Sequence, residues 1–198
     1  MSIKILGGIA KSHPLKVPTS EITRPTSVIL RRKIFDSKQN WSEKIFIDAC
    51  AGSGAMGLEA WSRGASQVYF IESHRRAFEV LKANISLLKN KFAEDSQKRP
   101  MQSFCTSFQK YCESKSLSSF NSHTTIFLDP PYEKHEVYLD ILNSISKLSI
   151  PSLELWIESD THKGPSFEDL NIGRFGFSLE KHMKQGSHFL GVFGKDVL

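Results

Sequence analysis

A chain of 198 residues is the size of one domain and long enough to bury most of the apolar surface of a single core. Its composition, 39% hydrophobic and 24% charged, is that of a globular protein; no apolar run approaches the ~20 residues of a membrane helix and no signal-peptide core opens the chain, so a cytoplasmic protein with no membrane partner is expected. The net charge of +5 is uneven: residues 1–44 hold nine Lys/Arg against three Asp/Glu, a local +6 that leaves −1 for the remainder, so the N-terminal segment is expected to meet a polyanion.

In chain order, "SIKIL" and "HPLKVP" around Gly7-Gly8 predict a small hairpin, and "SVILRRKIF" a basic helix. We expect residues 1–40 to form a basic extension and 41–198 the main domain. From Lys44 onward, short β-rich apolar runs alternate with longer amphipathic ones, the pattern of a parallel sheet with crossover helices. Buried strands are expected at 44–50, 68–72, 125–129 and 153–159, with a weaker one at 101–107. Helices are expected at Gly57–Arg63, at Arg75–Lys91 and at Val137–Leu148; the second spaces Phe78, Leu81, Ile85 and Leu88 along one face. The polar stretches 90–100 and 113–123 read as loops. "FGFSLEKHMK" and "SHFLGVFG" flank Gln185-Gly186-Ser187 and read as a closing antiparallel hairpin. Its Lys181, His182 and Lys184 are either RNA contacts or a solvated tip. Trp41, Trp61 and Trp156 are expected to be packing residues.

Cys50, Cys105 and Cys112 form no C-x-x-C pair and are odd in number, so buried free thiols are expected rather than disulfides. The seven histidines show no ligand spacing, and no metal site is expected.

Two motifs carry chemistry. "FIDACAGSGAMG" places Gly52, Gly54 and Gly57 in the turn between the first strand of the sheet and a helix, where an open parallel sheet binds ligands. Glycines let a ligand approach the backbone, and Glu72, ending the next strand, suits ribose hydroxyls. Both features serve NAD and S-adenosylmethionine alike. Asp48 separates them, since a carboxylate aimed into the turn repels a pyrophosphate and attracts a sulfonium and an ammonium. The second motif is Asp129-Pro130-Pro131-Tyr132, directly after the strand "TIFL". Two prolines fix the backbone and remove two N–H donors, leaving a rigid set of acceptors. A planar base with an exocyclic amine fits there, its hydrogens held by Asp129 and the Pro130 carbonyl and its ring stacked on Tyr132.

The combination "ILGG", "TRPT", "DACAGSGAMGLEAWSRGA", "FIES" and "LDPPY" resembles the RsmD-type 16S rRNA (guanine-N2)-methyltransferases, over nearly the whole chain. The resemblance implies an α/β, Rossmann-like class I methyltransferase fold: a mostly parallel sheet with a C-terminal antiparallel hairpin, plus a small N-terminal hairpin and helix. It implies S-adenosyl-L-methionine held by Asp48, Gly52, Ser53, Gly54, Glu72 and Ser107, and a flipped guanine held by Asp129, Pro130, Pro131 and Tyr132. Arg24 of "TRPT" would lie near the RNA, as would Lys11, Arg31, Arg32 and Lys33. The implied partner is 16S rRNA, within an assembling 30S subunit; no oligomer is implied. The chain departs from the family at Val28-Ile29 and Arg32, where an Asp-Arg pair and a Glu are usual, at Ser12-His13, and at Thr106-Ser107-Phe108 in place of G-D-A. The rival expectations are an N6-adenine methyltransferase on DNA or RNA and a non-catalytic RNA-binding assembly factor of the same fold.

Overall fold

A computed structural model describes residues 3–18, 28–38, 40–114 and 123–195. A two-stranded ribbon comes first, β1 (Ile3–Lys4) pairing antiparallel with β2 (Pro14–Leu15), followed by helix α1 (Val28–Asp36). The central sheet then builds from β3 (Ile45–Asp48), β4 (Gln67–Glu72), β5 (Met101–Cys105), β6 (Thr124–Leu128), β7 (Leu153–Asp160), β8 (Phe177–Gln185) and β9 (His188–Lys195). Its order is β5-β4-β3-β6-β7-β9-β8. The first five strands in that order are parallel, and β9 runs antiparallel to both β7 and β8, so the sheet closes on the expected hairpin. Successive strands step from β3 toward β5 on one side and from β6 toward β7 on the other. A crevice therefore opens at the carboxyl ends of β3 and β6, where the order reverses.

Two helical layers cover the sheet. On one face α2 (Ala55–Ser62), α3 (Arg75–Lys91), α1 and the N-terminal ribbon enclose a core that includes Ile5, Leu30, Phe46, Trp61, Phe70, Leu81, Phe127 and Trp156. On the other, α5 (Phe108–Ser114), α6 (His135–Ser146), α7 (Phe167–Leu170) and a 3-10 turn (Ile172–Phe175) cover Ile47, Ile71, Ile126, Leu128 and Ile157. The strands are buried on both faces because consecutive residues alternate between these two cores. The described residues before position 40 do not sit apart from this packing. Phe35 of α1 stacks within 5.1 Å of Trp41, 5.5 Å of Trp156 and 6.1 Å of Phe46, so the extension's helix completes an aromatic cluster centred on the sheet.

Several expectations need correction. The stretch 90–100 is helical rather than a loop: α3 runs to Lys91 and α4 spans Ala93–Lys98. Its sequence hides the helix because none of its residues is buried. It is favoured by Glu94 and Asp95 in its first turn and Lys98 in its last, and an Asp95–Arg99 ion pair at 2.7 Å closes it. α5 was also unforeseen, since only Phe108 and Tyr111 of its seven residues are buried. Residues 115–122 of the second expected loop lie outside the described residues. The thiols are not fully buried: Cys105 is exposed, and Cys50 and Cys112 are half-buried. Among the described residues, no helix is long and apolar enough to cross a membrane.

Phe35→Ala is expected to cost about 3–5 kcal/mol by removing a fully buried ring. In urea, far-UV circular dichroism and tryptophan fluorescence should lose their signals in one shared transition. Two separate transitions would mean that α1 does not stabilise the sheet.

Candidate active site

Four neighbouring parallel strands each carry an aromatic residue followed two positions later by an acid: Phe46 and Asp48, Phe70 and Glu72, Phe127 and Asp129, Trp156 and Glu158. Pairing places Asp48 level with Phe70 on β4 and Phe127 on β6, and Phe127 level with Trp156 on β7. All four aromatics belong to the core beneath α1 and α2. Since side chains alternate, the four acids emerge on that same face, with Glu72, Asp129 and Glu158 one pleat beyond Asp48 at the carboxyl edge of the sheet.

The glycine turn wraps around this row. Gly52 and Gly54 have φ of +53° and +83°, values that disfavour a side chain. A Cβ on Gly54 would meet Leu81 at 2.5 Å, and one on Gly57 would meet the Phe70 ring at 2.3 Å, so α2 leaves the turn pressed against β4. Glu72 accepts hydrogen bonds from the Gly52 N–H at 2.7 Å and the His74 N–H at 2.6 Å, and Asp48 accepts one from the Gly57 N–H at 3.0 Å. In a turn built for a pyrophosphate, backbone donors such as these would face the ligand's phosphates. Here carboxylates of the protein have taken them, which favours a cationic ligand over a dinucleotide. Ser53 is buried, and its carbonyl accepts from Asn84 on α3 at 2.9 Å. Asn84 also bonds both the N–H and the carbonyl of Lys16, each at 2.9 Å, tying the turn to the N-terminal segment. Ser107 lies just past β5, whose last residue Cys105 pairs with Glu72; its hydroxyl accepts the Lys110 N–H at 3.3 Å.

Asp48 is 1% exposed, and its pKa is pushed up to about 8. Burial is the main cause and the charges of Asp129 and Glu72 add to it, against the opposing hydrogen bond from Gly57. Asp48 is therefore disposed to hold a proton at a pH where an exposed carboxyl would be ionised. Burial and the same carboxylates also push the Cys50 thiol well up.

The second motif stands beside the first. Asp129 follows β6, Pro130 is buried, Pro131 is exposed, and the Pro131 carbonyl accepts from the Lys134 N–H at 2.9 Å in a tight turn. Half-buried Tyr132 donates its hydroxyl proton to Glu158 at 3.3 Å and lies 3.1 Å from His188 Nδ1, with the two rings 5.8 Å apart. Tyr138 on α6 donates to the Glu158 carbonyl at 2.9 Å and sits 3.5 Å from the Pro130 carbonyl. Burial, then the nearby Asp129 and Glu158 charges, raises the Tyr132 phenol, so it is a neutral hydrogen-bonding group.

Sequence reasoning missed Glu158, His188 and Asn84. Glu158 had a visible signal, being the fourth acid in the aromatic-x-acid series, and Asn84 was the polar residue on the otherwise apolar face of α3. His188 had none, because only the β7–β9 pairing brings it to Tyr132.

The basic residues divide. Lys11, Arg32 and Lys33 are exposed, with Lys33 reaching Gln185 of the last hairpin at 3.3 Å. Arg31 is corrected from RNA contact to interior residue: it is 0% exposed and donates to the Lys4 carbonyl at 2.7 Å. It shares the inward face of α1 with Ile34 and Phe35, and the charges of Glu59 and Glu158 offset part of its burial. Arg24 lies outside the described residues.

Residues 3–187 match the family described as conserved hypothetical protein 95. A ribosomal RNA small subunit methyltransferase D of Escherichia coli is 32% identical over 169 residues, covering 82% of this chain and 77% of its own length. The Haemophilus influenzae protein of the same name is 30% identical, over 66% of this chain and 64% of its own. Among solved structures, the candidate Escherichia coli methyltransferase yhhF superposes with a TM-score of 0.74 at 20% identity, covering 99% of both chains. The candidate methylase HI0767 of Haemophilus influenzae reaches 0.73 over the full length of both, also at 20% identity.

The Asp48 shift has a consequence for stability. A carboxyl raised from 3.8 to about 8 on folding favours the native state while it is protonated and loses that advantage as it ionises. The ligand-free protein should therefore lose stability as pH rises from about 4 to about 8, and thermal melts of Asp48→Asn should show a shallower decline. Identical slopes for the two proteins would place the buried charge elsewhere.

Proposed function

The chain belongs to the ribosomal RNA small subunit methyltransferase D family, and from that membership and the carboxylate edge we propose that it methylates the N2 amine of a guanine in 16S rRNA, using S-adenosyl-L-methionine held in the glycine turn. The observation that carries the reading is the side-by-side placement of two acceptor sets on one sheet edge. Asp48 and Glu72 flank the glycine turn, and Asp129 opens the D-P-P-Y turn on the adjacent strand.

The residues of the turn fit the cofactor. Glu72 keeps lone pairs beyond those given to Gly52 and His74, which suits ribose hydroxyls, and Ser107 at the end of β5 offers an acceptor toward the adenine side. Asp48 suits the sulfonium and ammonium, and the left-handed backbone at Gly52 and Gly54 keeps side chains out of the approach. When bound, the cofactor supplies an already activated methyl group, so no metal or covalent intermediate is needed.

The chain's contribution is positioning. An aromatic amine is a weak nucleophile because its lone pair is conjugated with the ring. Asp129 and the Pro130 carbonyl accept its two hydrogens and turn the lone pair toward the methyl carbon, and Tyr132 supports the base from its face. Glu158 and His188 act through Tyr132: by holding the phenol from two sides they set the angle of its ring. The assembling 30S subunit is the substrate form that we favour, and incubation of radiolabelled cofactor with 30S particles, followed by nucleoside mapping, tests the whole reading. N2-methylguanosine supports it; N6-methyladenosine would replace it with the adenine reading.

Two predictions follow from the acceptor sets. Asp129→Asn should lower methyl transfer by about 10²-fold or more, nearly as far as Asp129→Ala, because the amide places a donor against the amine, while cofactor affinity stays close to wild type. Wild-type turnover by Asp129→Asn would make the turn scaffolding. Cofactor affinity, by calorimetry, should rise with pH up to about 8, since a cation prefers ionised Asp48 and expels its proton. Asp48→Asn should flatten that rise and weaken the cofactor by about 1–3 kcal/mol more than it weakens uncharged adenosine. Equal weakening of both ligands would remove Asp48 from the charged end of the site.

A further inference from the structure

We propose that the cleft between the first hairpin turn and α1 binds a phosphate of the RNA backbone, through the N–H groups of Gly7 and Gly8 and the cations of Lys11, Arg32 and Arg63. The proposal rests on the rRNA substrate and adds an anchoring site remote from the sheet edge.

The cleft measures about 450 Å³ and lies between Gly7, Gly8, Lys11, Arg32, Asp36 and Arg63. Its floor is fixed to the end of α2. The Leu6 N–H donates to Glu59 at 2.7 Å, the Ile9 N–H to the Ser62 carbonyl at 2.9 Å and the Ala10 N–H to the Ser62 hydroxyl at 2.9 Å, while that hydroxyl donates to the Gly7 carbonyl at 2.6 Å. Every backbone N–H from Leu6 to Ala10 is thus engaged except those of Gly7 and Gly8, which have no acceptor among the described residues. Two successive glycines are required here. Gly8 has φ of +76°, and a Cβ on it would lie 1.8 Å from the Ser62 carbonyl oxygen. A Cβ on Gly7 would lie 2.7 Å from the Arg63 guanidinium, so the bare backbone and that cation share one face of the cleft. Adjacent unpaired N–H groups beside a guanidinium form an anion-binding concavity.

The charges favour a polyanion that passes over the surface. Lys11 and Arg32 are exposed and make no ion pair among the described residues. Arg63 is held by buried Glu59 through Nε at 2.7 Å and by Asp36 through Nη2 at 2.8 Å, with no hydrogen bond from Nη1 among the described residues. Glu59 is already compensated by Arg63 and the Leu6 N–H, and Asp36, 56% exposed, is a partner that an arriving phosphate can displace. The carbonyl end of α2 opposes an anion, but the Ile9 N–H already occupies the Ser62 oxygen. The opposite end of the eight-residue α2 adjoins the glycine turn, about 12 Å away by helix rise. The row of acids at that end repels phosphates, so a bound strand needs cationic anchorage at a distance from its target base.

The test compares wild type with Lys11→Ala/Arg32→Ala and with Arg32→Glu in binding to fluorescently labelled 16S rRNA across a salt series. The double variant should bind at least about 10-fold more weakly at 100 mM salt, and its log–log salt slope should be shallower by about 1.5, the loss of two phosphate contacts. S-adenosylmethionine affinity should not change. In ¹⁵N spectra the Gly7 and Gly8 amides should shift on addition of pyrophosphate to wild type and stay still in Arg32→Glu. An unchanged salt slope with unmoved glycine amides overturns the site. Amides that saturate with pyrophosphate but ignore 16S rRNA assign the cleft to a free phosphate and overturn the RNA assignment. Failure of wild type to methylate rRNA, with both binding signatures intact, counts against the methyl-transfer reading and leaves the cleft standing.

Discussion

The in-register parallel pairing of β4, β3, β6 and β7 is the constraint from which the site derives. Because each strand carries an acid two residues beyond an aromatic, one register aligns four rings in a single core layer and four carboxyls at its edge. A one-residue slip of any strand would send its ring into the opposite core and its acid away from the crevice. Packing of Phe46, Phe70, Phe127 and Trp156 therefore sets the position of the acids as a by-product of burying the rings. Gathering buried carboxyls there is unfavourable for the protein alone: burial first, and then the neighbouring Asp129 and Glu72 charges, push the Asp48 pKa up. On the proposed function, a ligand with two positive centres would remove that cost and make a generic sheet edge selective for a cation.

The same frame explains which features were legible in the sequence. β3, β4, β6 and β7 were visible because strands buried on both faces read as continuous apolar runs, and the closing hairpin because Gly186 punctuates two β-rich segments. α4 was not, since a short polar helix on the surface has no periodicity to detect. Arg31 misled because a run of three basic residues reads as an exposed face, whereas the i, i+3, i+4 relation to Ile34 and Phe35 turns its first member inward. The acids of the two motifs were legible as residues; Glu158, inside an apolar strand, was legible only as the fourth member of the aromatic-x-acid series. The Tyr132–His188 approach joins residues 56 positions apart through the β7–β9 pairing and could not be read locally.

The N-terminal segment is held to the catalytic half by specific polar contacts as well as by packing. Asn84 bonds Lys16 and the Ser53 carbonyl together, Ser62 and Glu59 of α2 bond the first hairpin turn, and Arg31 joins α1 to β1 through the Lys4 carbonyl. Each of these side chains is buried, so losing one partner would strand a polar group at a cost of about 1–3 kcal/mol. The glycine turn and the hairpin turn thus sit at opposite ends of one helix, α2, and both are bonded to it. On the proposed phosphate site, an RNA strand that meets the hairpin would reach the sheet edge across the length of α2. For a reaction in which the protein supplies only alignment, that distance matters as much as the acceptors: a misplacement of about 1 Å at the amine costs about 10²-fold in rate. On the proposed function, the hairpin turn belongs to the positioning machinery, because its hydrogen bonds to α2 would convert remote binding into orientation at the methyl carbon.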